Sequence, residues 1–301
     1  MQENEGVTGR VDAGEHLQVG ILTRGKPTLG MVLVSLLLQE AIPLRIHMVD
    51  TARRAVIERD DVRFALRLAS ERNIRSTYER LNSSDRAFTD GKLALIRELP
   101  GRYICLIDDD IVMPSSTLSD LWTTAKSLPE FGFITSALQN SPHTKSPNLV
   151  GLQYSPGSVI YQDEAVRSIL IEYYRNTVDV LDQRRTTAKV WEIAFLTGMF
   201  HGLGRRCIDR SEILSYHLDY QARPMWHEDE QALVSRSMGL AQQLIANHRP
   251  SEDLLAEVSA GELAERNVID LGEVTSLPES GRSKSFWSGL TRFFNGPQDN
   301  R

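Results

Sequence analysis

The chain is expected to fold as an α/β protein: a mixed, mainly parallel sheet flanked by helices, followed by a C-terminal helical tail. Three observations carry this. Short apolar runs bounded by turn formers alternate with longer segments whose apolar residues recur at helical spacing, the pattern of an α/β domain. The first strand, helix and second strand together take roughly thirty residues, the size of a βαβ unit with parallel strands. The 301 residues, at roughly 150 per domain, allow one large α/β domain or two smaller ones.

Residues 1–16 are polar and acidic and read as an arm. The run LQVGIL at 17–22 is a buried strand that ends in the turn-forming loop Thr23-Arg24-Gly25-Lys26-Pro27. Thr28 is placed to cap a helix reaching Gln39, and Ile42-Pro43 leads into a second strand at 44–49 that ends on Asp50. Residues 51–72 are charged, with Val56, Phe64 and Leu68 at helical spacing, and 73–81 alternate as a strand does. A helix at 90–99 stops at Pro100-Gly101, and the strand RYICLI at 102–107 runs straight into Asp108-Asp109-Asp110. A helix at 116–127 and a strand at 131–136 follow; residues 139–157, with several Ser, Pro and Gly, read as irregular.

Beyond them come an amphipathic helix at 163–185, an apolar run at 190–196 and a Gly/Arg-rich loop at 198–206. A helix is expected from Asp229 to Met238, and a late strand at 242–246 before His248-Arg249-Pro250. The expected division is an arm (1–16), a catalytic domain (17–250) and a helical tail (251–301).

Composition narrows the function. The chain is 41% hydrophobic and 25% charged, as soluble globular proteins are. Its 34 Lys and Arg against 40 Asp and Glu give a net charge of −6, which argues against a nucleic-acid partner. Cys105 and Cys207 stand far apart without a Cys/His cluster, so neither a disulfide scaffold nor a structural zinc site is expected. No signal-peptide core or membrane span is evident, and a cytoplasmic protein is expected.

Two acidic clusters carry chemistry. Three aspartates in succession after an apolar strand repel one another unless a cation lies among them. Strand ends are where open α/β sheets bind ligands. Mg²⁺ takes one or two carboxylates together with waters and substrate phosphates, so Asp108 and Asp110 are candidate holders of a metal diphosphate. Trp226-His227-Glu228-Asp229-Glu230 opens a helix. Its acids either stabilise the helix dipole or supply a general base for an attacking hydroxyl. His248 is either a surface residue or the completing ligand of a Mg²⁺ or Mn²⁺ shell. Gly91-Lys92 is no phosphate loop, since the upstream glycine and the following Ser or Thr are missing.

In order and placement these pieces resemble a family 2 glycosyltransferase of the GT-A fold. VGILTRGKP is similar to that family's first strand and nucleotide-contacting loop, here with Thr23 and Arg24. MVDTA resembles its second strand, whose terminal aspartate, here Asp50, contacts the base. GRYICLIDDDIVMP resembles its D-x-D segment, FLTGMFHGLGRR its acceptor-side stretch with Gly198, Arg205 and Arg206, and HEDEQALVSRSMG its E-D motif. The resemblance implies an inverting transfer from a UDP- or dTDP-sugar to an unidentified acceptor hydroxyl, dependent on Mg²⁺ or Mn²⁺. It implies Asp229 as base with Glu228 beside it. Asp110, Asp108 and His248 would be metal ligands; Thr23, Arg24, Asp50, Asp108 and Asp109 would contact the donor. A sugar nucleotidyltransferase and a non-catalytic nucleotide-sugar-binding partner protein stay as alternatives.

One further segment is distinctive. Phe286, Trp287, Leu290, Phe293 and Phe294 fall on one helical face near Arg282, Lys284 and Arg292. Such a helix either lies in a membrane interface, making the protein membrane-peripheral, or docks on protein.

Overall fold

The computed structural model describes residues 16–81, 86–140, 154–176, 178–179, 189–190, 192–218, 230–248 and 268–271. The first strand, β1 (Leu17–Thr23), is buried along its whole length. It leads through the Thr23–Thr28 loop into α1 (Leu29–Leu37) and on to β2 (Leu44–Asp50), completing the expected βαβ unit. After a single 3₁₀ turn (Val56–Glu58) come α2 (Asp60–Glu71), β3 (Arg75–Arg80), α3 (Ala87–Glu98) and β4 (Tyr103–Asp108). Then follow β5 (Ile111–Val112), α4 (Thr117–Lys126), β6 (Phe133–Asn140), β7 (Val159–Tyr161) and α5 (Glu164–Asn176). The short β8 (Val178–Asp179) and β9 (Lys189–Val190) pair with each other. The last elements are α6 (Glu192–Gly202), β10 (Ile208–His217), α7 (Glu230–Asn247) and β11 (Val268–Asp270).

Among the described residues the main sheet has the order β11-β3-β2-β1-β4-β7-β6-β10-β5. The block β3-β2-β1-β4 is parallel, whereas β7 runs antiparallel to both β4 and β6. Register decides what the parallel block presents. Thr23 pairs with Asp50, Asp50 with Arg80, and Leu22 with Asp108, so four strands end in one row at the carboxyl edge of the sheet.

Alternate residues of the central strands feed two cores. Val19, Ile21, Cys105 and Ile107 lie in the core shared with α1, α2 and α4. Leu22, Ile104 and Leu106 lie in the other, with α3, α5, α6 and α7. This two-sided burial is why these strands read as near-continuous apolar runs rather than as an alternation.

Several local expectations are corrected. Residues 242–246 are not a strand but the last turns of α7. Ala241 is buried, and Leu240, Leu244 and Ile245 pack on the second core, a spacing that suits one helical face. Residues 198–202 are not loop but the end of α6, which lies against α7. A Cβ at Gly198 would stand 3.2 Å from the Met238 Cα, so the glycine permits the close approach. Residues 51–59 are not α-helix and hold only the 3₁₀ turn at Val56–Glu58, because Asp50 captures the amides of Ala52 and Val56 and bends the chain there. Thr28 precedes α1, but its hydroxyl donates to the Asp109 carbonyl oxygen at 2.7 Å instead of capping the helix. Past residue 250, β11 pairs antiparallel with β3 and so joins the main sheet.

Candidate functional site

The carboxyl row of the parallel strands places Thr23, Asp50, Arg80 and Asp108 side by side, with Asp109 and Asp110 just beyond β4. Each member of the aspartate triplet has a different surrounding.

Asp109 turns inward and braces the β1–α1 loop. Its Oδ2 accepts from the Thr23 hydroxyl at 2.8 Å, the Arg24 amide at 3.0 Å and the Lys26 amide at 3.3 Å. Burial pushes its carboxyl up from the usual range, and these donors offset part of that rise. Within the loop, Gly25 takes a φ of +87°, a left-handed conformation that suits glycine, and its amide donates to the Thr23 hydroxyl oxygen at 2.9 Å. Arg59 closes the loop from outside by donating to the carbonyls of Gly25, Lys26 and Pro27, while Asp61 holds its guanidinium in a two-point ion pair.

Asp110 is paired with bases. Its Oδ2 meets the Lys26 ammonium and lies 2.9 Å from the His217 Nε2 at the end of β10. Burial raises its carboxyl, but His217 and Lys26 together outweigh that and hold it below the ordinary carboxylate range. Asp108 is the most open of the three, with a side chain 36% exposed, and its Oδ1 lies 3.2 Å from the Lys92 Nζ. Lys92 is 2% exposed and also lies 3.8 Å from Glu192 Oε2. The Tyr174 hydroxyl donates to the other Glu192 oxygen. Burial pushes the Glu192 carboxyl up, against the opposing pull of Lys92.

Asp50 has no exposed surface. Its carboxylate accepts from the amides of Ala52 and Val56 at 2.8 and 2.9 Å, from the Tyr78 hydroxyl at 2.7 Å and from Arg80 Nη1 at 2.8 Å. The adjoining Thr51 amide donates to the Thr23 carbonyl at 2.9 Å, which ties this turn to the β1–α1 loop.

The remaining expected residues lie elsewhere. Gly198 is inside α6 against α7. Arg205 is ion-paired with Glu130 and Asp163, and Arg206 is exposed, its carbonyl accepting from the Gly132 amide at 2.8 Å. His248 is half-buried just past α7, and among the described residues no hydrogen bond or ion pair joins it to the triplet. Glu228, Asp229 and the aromatic segment at 286–294 lie outside the described residues. No described helix is long and apolar enough to cross a membrane.

Sequence reasoning did not find Lys26, Arg59, Lys92, Glu192 or His217. Of these only Lys26 carried a local signal, its position in the loop after β1. Among the described residues no group of three or more His, Cys, Asp or Glu side chains could hold a metal ion. The donors present are of the hard kind: the carboxylates of Asp108 and Asp110, with the imidazole of His217 beside the latter. That set suits Mg²⁺ or Mn²⁺ bound jointly with substrate phosphates, the usual way a Mg²⁺ ion is held on few protein ligands.

In sequence the chain matches no protein-family profile and no curated protein. In structure it is similar to TarS of S. aureus. Against TarS 1–349 in complex with UDP the TM-score is 0.53 at 12% identity, over 82% of this chain and 70% of that one. The complex with UDP-GlcNAc gives the same TM-score and identity over 82% and 71%. Against the longer TarS chain the TM-score is 0.50 at 12% identity, and the protein covers 42% of that chain. At such identity the likeness is one of fold: a GT-A-like, mostly parallel sheet flanked by helices.

Proposed function

We propose that the protein is an inverting glycosyltransferase that moves a sugar from a UDP- or dTDP-sugar to an acceptor hydroxyl with the help of Mg²⁺ or Mn²⁺. One observation carries the reading. The polar loop after β1 and the aspartate triplet after β4 meet at the carboxyl edge of a parallel block, in a fold shared with TarS structures that hold UDP and UDP-GlcNAc.

In this reading Arg24, exposed on its loop, and Asp108, at the open end of β4, contact the donor. Thr23, Asp50 and Asp109 are buried, and they set the shape of the loops that the donor meets. Asp110 and Asp108 hold the cation, with His217 beside Asp110. Bound there, a divalent cation supplies charge stabilisation to the departing diphosphate. Asp229, or its neighbour Glu228, removes the acceptor hydroxyl proton. The acceptor oxygen bonds to the anomeric carbon, and the bond from that carbon to the phosphate oxygen breaks, its electron pair leaving with the nucleoside diphosphate. A single displacement inverts the anomeric configuration.

The test has two stages. Calorimetric titration with UDP and dTDP, with and without Mn²⁺, is expected to show metal-dependent binding. A panel of nucleotide sugars is then assayed for donor hydrolysis with Mn²⁺, and release of nucleoside diphosphate is expected from at least one donor. Binding without turnover, even when acceptors are supplied, favours a non-catalytic binding protein. Absence of both refutes the reading.

A further inference from the structure

The pair Gly91-Lys92 is no phosphate loop, yet the fold gives it an unusual position. A Cβ on Gly91 would come within 2.3 Å of the Leu22 side chain, so the glycine lets α3 settle onto the end of β1. That approach brings Lys92, only 2% exposed, beneath the end of β4. Its Nζ lies 3.2 Å from Asp108 Oδ1 and 3.8 Å from Glu192 Oε2, with the Phe88 ring 5.3 Å away. Glu192 is itself anchored by the Tyr174 hydroxyl.

A buried ion pair of this kind is weak evidence for stability, because well-packed apolar residues of similar volume often serve as well or better. Its geometry has a direction, however. Tyr174, Glu192 and Lys92 are buried in sequence, and the chain ends on Asp108, whose side chain is 36% exposed. Lys92 donates to one oxygen of that carboxylate, and among the described residues no hydrogen bond engages Oδ2.

We propose that Lys92 is a positioning residue of the donor site: its ammonium, backed by Glu192, fixes Asp108 by Oδ1 and so leaves Oδ2 to the cation and diphosphate of the donor. This rests on the donor reading above. Lys92 touches neither the sugar nor the reacting atoms. It sets the rotamer of the residue that does, as the outer-shell partners of metal ligands do.

Lys92→Met alone would leave Glu192 buried beside Asp108 without its counter-charge, so the test uses Lys92→Met/Glu192→Gln in the full chain. Should that pair not fold, Lys92→Gln, which removes the charge and keeps a hydrogen-bond donor, is read in the same direction. In the folded variant, UDP affinity with Mn²⁺ is expected to fall roughly 10–100-fold, the range typical for loss of an outer-shell partner. UDP affinity without metal should stay close to wild type. Glu192→Gln alone, which keeps the ammonium, should lose less. A crystal structure of the variant without nucleotide should show the Asp108 carboxylate displaced. An unmoved Asp108, an unchanged Mn²⁺-dependent affinity, or an equal loss with and without metal overturns the role of Lys92. Wild-type protein that binds neither UDP nor dTDP with Mn²⁺ overturns the donor reading itself, and does so before any variant is made.

Discussion

Replacing Asp50 by Ala tests whether the carboxyl edge of the sheet is organised by buried hydrogen bonds. The carboxylate accepts four: from the Ala52 and Val56 amides, the Tyr78 hydroxyl and Arg80. Arg80 has a side chain 35% exposed and reaches water once its partner is gone, so its loss adds little. The other three donors belong to buried residues. A buried donor left without an acceptor costs about 1–3 kcal/mol. A water entering the vacated space can satisfy one or two of the three. One or two donors are then left unsatisfied, and the net cost is about 1–6 kcal/mol.

For a domain of this size each kcal/mol is worth about 2–4 °C, so Asp50→Ala should melt roughly 2–24 °C below wild type. Asp50→Asn should recover more than half of the loss. With its amide oxygen in the place of Oδ2 it still accepts from the Val56 amide, Arg80 and the Tyr78 hydroxyl, and only the Ala52 amide is left facing N–H donors. That hydroxyl remains protonated at neutral pH, since burial and then its bond to Asp50 hold it above the ordinary tyrosine range. Tyr78→Phe, which removes one bond of the four, should cost about 0.5–1.5 kcal/mol. Thermal unfolding followed by circular dichroism, with urea midpoints as a check, measures all three. An Asp50→Ala protein melting within about 2 °C of wild type, less than 1 kcal/mol by the same conversion, refutes the account.

Three further outcomes are expected. Asp110→Asn should abolish Mn²⁺-dependent UDP or dTDP binding while the protein stays folded; unchanged affinity would remove Asp110 from the cation site. Asp229→Asn should lower turnover by about 10²–10⁴, the usual contribution of a general base, with little change in donor affinity; a mild Asp229→Asn beside a crippling Glu228→Gln moves the base by one residue. Glu192 gives a pH dependence. Its carboxyl is raised in the folded state by burial, so the neutral form contributes stability that is complete below the unfolded value of about 4.3 and is lost as pH rises through the folded value. Urea midpoints of wild type should therefore fall relative to Glu192→Gln as pH rises from 4 to 7, and parallel profiles would contradict the shift.

Much of the frame is readable from local pattern. The runs at 17–22, 44–49 and 102–107 are mostly apolar because both faces of the central strands are covered, and turn formers mark where each stops. Strand periodicity and punctuation are properties of a few neighbouring residues, so they survive without the rest of the chain. The late segment at 242–246 is different. Five residues do not separate a strand from a helix, and the choice fell to α6, whose Gly198 lets α7 pack against it.

The site divides along the same line. That three aspartates follow a buried strand, and that such a place holds a ligand, follows from sequence and strand direction alone. Which aspartate does what does not. Asp109 is committed to Thr23, 86 residues away, and Asp110 to His217, 107 residues away, while Asp108 answers to a lysine on a helix packed beneath the sheet. Each partner is chosen by sheet order and by the register that sets β1 between β2 and β4. Charges on one short acidic run look alike in sequence. They become distinct only when burial removes water as the common partner and leaves each carboxylate the donors that the fold has brought within reach.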